Sequence, residues 1–370
     1  MLQTLYRRPL PQGAVAFSSV EGRQVFAEAL AAGGLDPYFP LAEQFHTQAD
    51  PAFCGLGSLV VALNALGVDP GRLWKGPWRW FAEDLLDCCV PLDEVRRRGL
   101  DLDELACLAR CNGAEVELHR ASTEGLAAFR RAIAEPQTVP HVVIAAYDRR
   151  GLEQSGSGHF SPVGGYHAGR DLALILDVAR FKYPPHWVSI ERLWEAMHGL
   201  DDTTGKPRGY LVLRSRGSGV ALGFTLSCAT EGWSALGARL QDVLQQLGQA
   251  ADLPALAHAI APLTAHLQLR APHAPLHAEA LEQARAELTQ LAAYRPIAAA
   301  IGGEHAELAT LLLCVLSHSL PPPLRAALEP SGAALLRELH NLQAQVSAIS
   351  DVYDRDHAER QGGHAEPDAL

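Results

Sequence analysis

The segment Gln48–Leu66, QADPAFCGLGSLVVALNAL, sets a single cysteine, Cys54, at the mouth of an apolar run with helical spacing. A cysteine reacts as its thiolate, and the unpaired N–H groups and positive dipole end of a helix N-terminus favour that form. Burial among apolar side chains does the opposite. Free cysteines are often simply buried, so Cys54 alone reads as a core residue. A base changes that reading. Residues 156–181, GSGHFSPVGGYHAGRDLALILDVARF, carry His159 and Asp177 on two strand-like segments joined by the turn-prone HAGRD. Folding about residues 168 and 169 brings His159 opposite Asp177, or within two residues of it, and an even register keeps both on one face. A carboxylate that holds an imidazole's tautomer is the third group of a Cys-His-Asp arrangement. Singly, His159 reads as a satisfied histidine near a loop and Asp177 as a turn residue. Jointly with Cys54 they point to acyl transfer. Gln48, in the loop entering the same helix, is placed to donate with the Cys54 backbone N–H to an oxyanion. By itself it would be an exposed loop amide.

These side chains need particular elements to hold them. Leu56, Leu59, Val60, Leu63 and Leu66 share one face of a helix running from near Cys54 to Ala65 and ended by Gly67, with Asp50-Pro51 just upstream as a turn or cap signal. Strands His159–Tyr166 and Leu172–Ala179 should pair as an antiparallel hairpin. The chain is mixed in character to about residue 215 and then becomes rich in Ala, Leu, Gln and His with helical periodicity. RSRGSGVALG at 214–223 marks the boundary, which predicts domains 1–217 and 218–370, the second helical. LPPPL at 320–324 reads as a loop, and GGHAEPDAL at the end as a loose tail.

Composition removes several classes. A formal charge of -11 and a pI near 5.8 leave no basic footprint for nucleic acid. No secretory signal or membrane span is visible, so a soluble protein is expected. Seven cysteines, an odd number, suit a reducing compartment, the cytoplasm, better than a disulfide framework. Cys88-Cys89 and Cys107-x-x-x-Cys111 are weak metal candidates: adjacent thiols chelate one ion poorly, and one C-x-x-x-C lacks a partner pair. Trp74, Trp78 and Trp80 read as a loop packed by aromatic side chains. Gly156 and Gly158 lack the helix and Lys-Ser/Thr of a phosphate loop and instead let chain and substrate approach beside His159.

The run TQADPAFCGLGSLVVALNALGVDPGRLWKGPWRWFAEDLLDCC, with CLARC, GSGHFSPVGGY and LILDVARFKYPPHWV, closely resembles the phytochelatin synthases, glutathione γ-glutamylcysteinyltransferases, across residues 5–215. The resemblance implies an α+β, papain-like cysteine peptidase fold followed by a mainly helical domain. It implies a triad of Cys54, His159 and Asp177, with Gln48 as oxyanion donor. Asp201 and Arg208 would hold the γ-glutamyl amino and carboxylate groups, and Arg180 and Lys182 the acceptor's carboxylates. The implied reaction releases glycine from glutathione and passes γ-glutamylcysteine to a second glutathione or a growing phytochelatin. No organic cofactor is expected; heavy-metal ions such as Cd2+ enter as the glutathione thiolate. Cys88, Cys89, Cys107 and Cys111 coincide with family cysteines, which leaves transient metal contact open. GFTLSCATEGW at 223–233 is still similar, and the likeness then fades. Only Cys228 and Cys314 follow residue 111, which speaks against thiol-based metal sensing there. A homodimer is left open. Competing readings are a glutathione hydrolase using the same triad, a general protease, and a thiol-rich metal-binding protein without catalysis.

Overall fold

The run HVVIAAYD is apolar on both alternating faces, as suits a strand covered on both sides. In the computed structural model it lies inside a seven-stranded sheet. The model describes residues 7–70, 74–88, 90–122, 125–134, 140–215, 225–228, 233–270, 278–336, 338–339, 342–343 and 346. The strands are β1 (Val15–Ala16), β2 (Ala114–Arg120), β3 (His141–Asp148), β4 (Gly158–His167), β5 (Leu172–Ile175), β6 (His186–Ser189) and β7 (Gly209–Ser215). Their order is β1-β6-β5-β4-β3-β7-β2, and every neighbouring pair is antiparallel.

Among the described residues the helices that accompany this sheet are α1 (Val20–Ala31), α2 (Tyr38–Gln44), α3 (Cys54–Ala65), α4 (Leu92–Arg98), α5 (Leu102–Cys111), α6 (Leu126–Ala134) and α7 (Ile190–Met197). The first three pack against β4. Phe129 of α6 and Trp194 of α7 meet Tyr210 of β7 in one apolar core with Val143, Ala145 and Tyr147 of β3.

α3 spans the residues its periodicity predicts. Leu56, Leu59 and Leu63 have no exposed surface and Val60 has 3%; each such side chain stabilises the fold by about 1.5–3 kcal/mol. Of the two roles expected for Asp50, turn or cap, it takes the turn. Phe53 is the N-cap and makes no side-chain bond, while Asp50 Oδ1 accepts from Ala52 N at 3.1 Å. A capping side chain must stand directly before the first helical residue, and Asp50 is too far upstream, so it shapes the preceding turn.

The β4–β5 hairpin forms, with Tyr166 opposite Ala173 and His167 opposite Leu172. The second strand stops at Ile175 rather than Ala179, and an irregularity between Val163 and Gly165 shifts the register within the hairpin. Its turn is pinned at Asp171, which has φ +50° and receives a bidentate pair from Arg130 at 2.9 and 2.7 Å.

The chain divides into two compact units. The first comprises Met1–Asp69, Trp80–Leu86 and Leu92–Gly219; the second comprises Pro70–Arg79, Asp87–Pro91 and Val220–Leu370. Two short segments of the N-terminal half, Pro70–Arg79 and Asp87–Pro91, thus group with the second unit. The helices of that unit are α8 (Trp233–Leu247), α9 (Leu253–Thr264), α10 (Ala278–Thr289), α11 (Tyr294–Ile301), α12 (Gly303–Val315) and α13 (Pro322–Ala327). It also holds an unexpected antiparallel pair, β8 (Thr225–Cys228) with β9 (Leu267–Arg270), since segments of four residues are too short to show a distinguishing period. LPPPL does not stay a loop: α13 begins at Pro322, where a missing N–H is no loss. The tryptophans are not packed away as expected, Trp78 being 71% exposed. Most of the boundary stretch and the C-terminal tail lie outside the described residues. No described helix is long and apolar enough to cross a membrane.

Candidate functional site

Cys54 opens α3, so its backbone N–H belongs to the first turn, whose amides have no intrahelical acceptor. His159 sits near the start of β4, and Asp177 lies two residues past the end of β5. The two side chains meet, although Asp177 lies beyond the paired part of the hairpin and no strand register sets its place: His159 Nε2 is 2.9 Å from Asp177 Oδ1, with the two side chains 4% and 0% exposed. With Nε2 engaged, Nδ1 is the ring nitrogen left for the thiol. Asp177 Oδ1 also accepts from Ala179 N at 2.9 Å.

A fourth residue, Arg149, completes the group. Its Nη2 lies 2.8 Å from His159 Nε2, 3.0 Å from Asp177 Oδ1 and 2.8 Å from Asp177 Oδ2. Hydrogen-bond geometry is met at Oδ1, and Oδ2 has a charge contact alone. Burial alone would raise the Asp177 pKa, but His159 and Arg149 hold it well below the usual carboxylate range. Burial and Arg149 oppose charge on His159, yet Asp177 and Cys54 prevail and its pKa is raised. Burial likewise pushes the Cys54 thiol up. The charge and hydrogen bond of His159, the Phe160 backbone and Arg149 outweigh that and lower it. The arrangement therefore favours a thiolate beside an imidazolium, a nucleophile paired with an acid.

Gln48 is buried, and its amide is committed elsewhere. Nε2 donates to the carbonyls of Asp50 and Pro51 at 2.8 and 2.9 Å, and Oε1 is buried without a partner. Its backbone N–H bonds Val178 O at 3.0 Å, tying this loop to the Asp177 segment. Glu83 steadies the same loop by accepting from Ala49 N at 2.9 Å. Gly57 permits the approach: a Cβ there would lie 2.9 Å from Glu83 Oε1 and 3.2 Å from Gln48 Cβ.

Cys54 and His159 line a cleft of about 330 Å³ with Gly158, Lys182, Asp201 and Arg208. Asp201 Oδ2 accepts from Arg208 Nη1 at 2.6 Å, and the buried Arg208 Nε has no hydrogen-bond partner among the described residues. Gly158 is required by this arginine, because a Cβ there would come within 2.5 Å of its Nη1. Among the described residues no carboxylate pairs with Lys182, whose pKa is lowered by burial and by Arg149. Arg180 is not brought into the cleft; it stands over the Phe45 ring at 4.9 Å. Cys107 and Cys111 face the interior of α5 at 0% and 2% exposure, and Cys88 is equally buried. Cys89 lies outside the described residues. No cluster of three His, Cys, Asp or Glu suited to a metal ion occurs among the described residues.

The phytochelatin synthase family model matches residues 5–210, more than half of the chain and the whole of the cleft. The chain belongs to the phytochelatin synthase family. Among family relatives, "Glutathione gamma-glutamylcysteinyltransferase 1" of Lotus japonicus is 50% identical over 240 residues, 64% of this chain and 48% of that one. Its Arabidopsis thaliana namesake is 48% identical over 248 residues, 66% and 51% of the two chains. "Glutathione gamma-glutamylcysteinyltransferase" of Schizosaccharomyces pombe is 45% identical over 212 residues, 57% and 51%. The chain spans about half the length of the relatives it matches. Residues the sequence did not single out include Arg149, Gln154 and His186. The run DRRGLEQSGSG reads as a polar loop, and only tertiary structure turns Arg149 and Gln154 inward.

Proposed function

We propose that this chain is a γ-glutamylcysteine dipeptidyl transpeptidase that makes phytochelatins from glutathione on a papain-like catalytic unit. The carrying observation is Cys54 at a helix N-terminus beside the buried His159–Asp177 pair, in a cleft of a phytochelatin synthase family chain. In this reading the Cys54 thiolate attacks the carbonyl carbon of the Cys-Gly peptide bond. The C–N bond breaks, His159 gives its proton to the departing glycine amine, and a thioester to Cys54 remains. The amine of a second glutathione then loses a proton to His159 as it attacks the thioester. A new peptide bond forms, and the thiolate returns.

The oxyanion falls to the Cys54 backbone N–H. Gln48 joins it on exchanging one of the carbonyl bonds its amide makes to Asp50 and Pro51. Arg208, with an unpartnered buried Nε, and Asp201 suit the α-carboxylate and α-ammonium of the γ-glutamyl group. Lys182 suits a carboxylate of the acceptor. Heavy-metal ions such as Cd2+ enter as part of the substrate, the glutathione thiolate, and the setting is the reducing cytoplasm. Intact-protein mass spectrometry after mixing with glutathione tests the first half: one γ-glutamylcysteinyl adduct on Cys54 with equimolar glycine is expected. Glycine release from a Cys54→Ala variant would sink the assignment.

A further inference from the structure

A buried hydrogen-bond chain runs behind the cleft, and its polarity is set link by link. His186, fully buried at the start of β6, places Nδ1 2.9 Å from the carbonyl of Pro184. A carbonyl only accepts, so Nδ1 carries the hydrogen and Nε2 of the neutral ring accepts. Gln154 Nε2 faces that acceptor at 3.0 Å, which turns the amide oxygen the other way. Gln154 Oε1 then receives Arg149 Nη1 at 2.5 Å, and Arg149 Nη2 donates to Asp177 Oδ1 at 3.0 Å beside the His159 ring. Gln154 is 4% and Arg149 3% exposed, so water does not substitute for a lost link. The Tyr183 ring covers the guanidinium at 5.1 Å.

We propose that His186 and Gln154 are positioning residues for acyl transfer: the Nδ1–H ring of His186 orients the Gln154 amide, and Gln154 holds the Arg149 guanidinium where its charge supports the Cys54 thiolate. The inference rests on Cys54 being the nucleophile. A flipped Gln154 amide would set two donors against each other at Arg149, and so would a protonated His186. Burial, with the charges of Arg149 and His159, holds His186 below its ordinary pKa against Asp177 and the Pro184 carbonyl, so the ring is neutral at neutral pH. Tyr147 and Lys182 are the other titratable groups coupled to this cluster.

The decisive substitution is Gln154→Glu, which keeps the shape and sets a negative charge against Arg149, cancelling its field at Cys54. The pH dependence of Cys54 alkylation by iodoacetamide in the full chain should then shift upward by about one unit. The acid limb of glutathione turnover should move the same way, and kcat should fall about 10-fold. Gln154→Met, which removes both bonds at similar volume, should shift in the same direction by less. A lowered Tm with unchanged alkylation titration in both variants would mean a structural role and overturn the proposal. Nitrogen NMR of histidine-labelled wild-type protein gives a reading independent of the variants: the Nδ1–H tautomer of His186 supports the chain, and the Nε2–H tautomer overturns it. If wild-type Cys54 is neither selectively alkylated nor acylated, the catalytic assignment fails. If it reacts and both variants titrate as wild type does, only the present inference fails.

Discussion

At the scale of single residues, the fold separates two thiols by chemistry. Cys54 stands at a helix mouth beside His159 and Arg149, and its pKa is lowered. Cys314 is 4% exposed, donates to Leu328 O at 3.3 Å, and is pushed up to about 12 by burial. Peptide mapping after brief iodoacetamide treatment at pH 7 should therefore find Cys54 modified and Cys314 intact; equal labelling would count against the assigned environments. Asp177 is predicted to serve folding as well as chemistry. Asp177→Ala leaves a buried Arg149 without its carboxylate and should cost about 3–5 kcal/mol in urea denaturation, besides abolishing turnover. Gly158→Ala tests the donor pocket, since its Cβ enters the space of Arg208. The KM for glutathione should rise about 10-fold, the loss of roughly one charge-assisted hydrogen bond. Cys54, His159 and Asp177 were legible as candidates because few residue types do such chemistry, and Cys54 and His159 sit on recognisable elements, whereas Asp177 lies just beyond the strand expected to carry it. Arg149 was not, because an arginine in a glycine-rich loop looks solvated until tertiary structure buries it.

At the scale of elements, local pattern was read well where period and boundary agreed. The α3 run has nine consecutive buried residues after Cys54 and a helix length that strands seldom reach, and the model gives it the expected span. The hairpin was legible in its turn and pairing but not in its irregularity, since a register shift at Val163–Gly165 leaves no period to read. Pairing of β2 with β7 was out of reach, because the strands are far apart in sequence and their partnership depends on the whole sheet. The start of α5 offers a test. Asp101 and Glu104 form a reciprocal capping box at 2.8 and 3.1 Å, and burial with the nearby Glu104, Asp103 and Asp201 charges raises the Asp101 pKa to about 8. A raised carboxyl contributes stability while protonated and loses it as pH rises from about 4 to about 8. Asp101→Asn keeps the cap without the charge and should match or exceed wild-type Tm at pH 8. Asp101→Ala loses the cap and should cost about 1 kcal/mol; equal behaviour of the two variants would contradict this account.

At the scale of the whole molecule, the two units differ in how far the sequence disclosed them. The composition changes near residue 215 and the contact units change over at Gly219–Val220, but the grouping of residues 70–79 and 87–91 with the second unit has no sequence signature. Acid should act on the first unit through Asp177. Its carboxyl lies below its unfolded value, so it stabilises the fold at pH above about 4, and that contribution is lost as pH falls further. Circular dichroism should show the acid transition moving to higher pH when Arg149 is replaced by Met, because Asp177 then loses one of its two cations. The functional claim belongs to the complete chain, and one measurement tests it most directly. The intact protein is incubated with glutathione and Cd2+, and the thiol products are separated and weighed by mass spectrometry. The account predicts oligomers of γ-glutamylcysteine ending in glycine, with free glycine released in step, and none with Cys54→Ser. γ-Glutamylcysteine as the sole thiol product would make water the acceptor and contradict the synthase assignment.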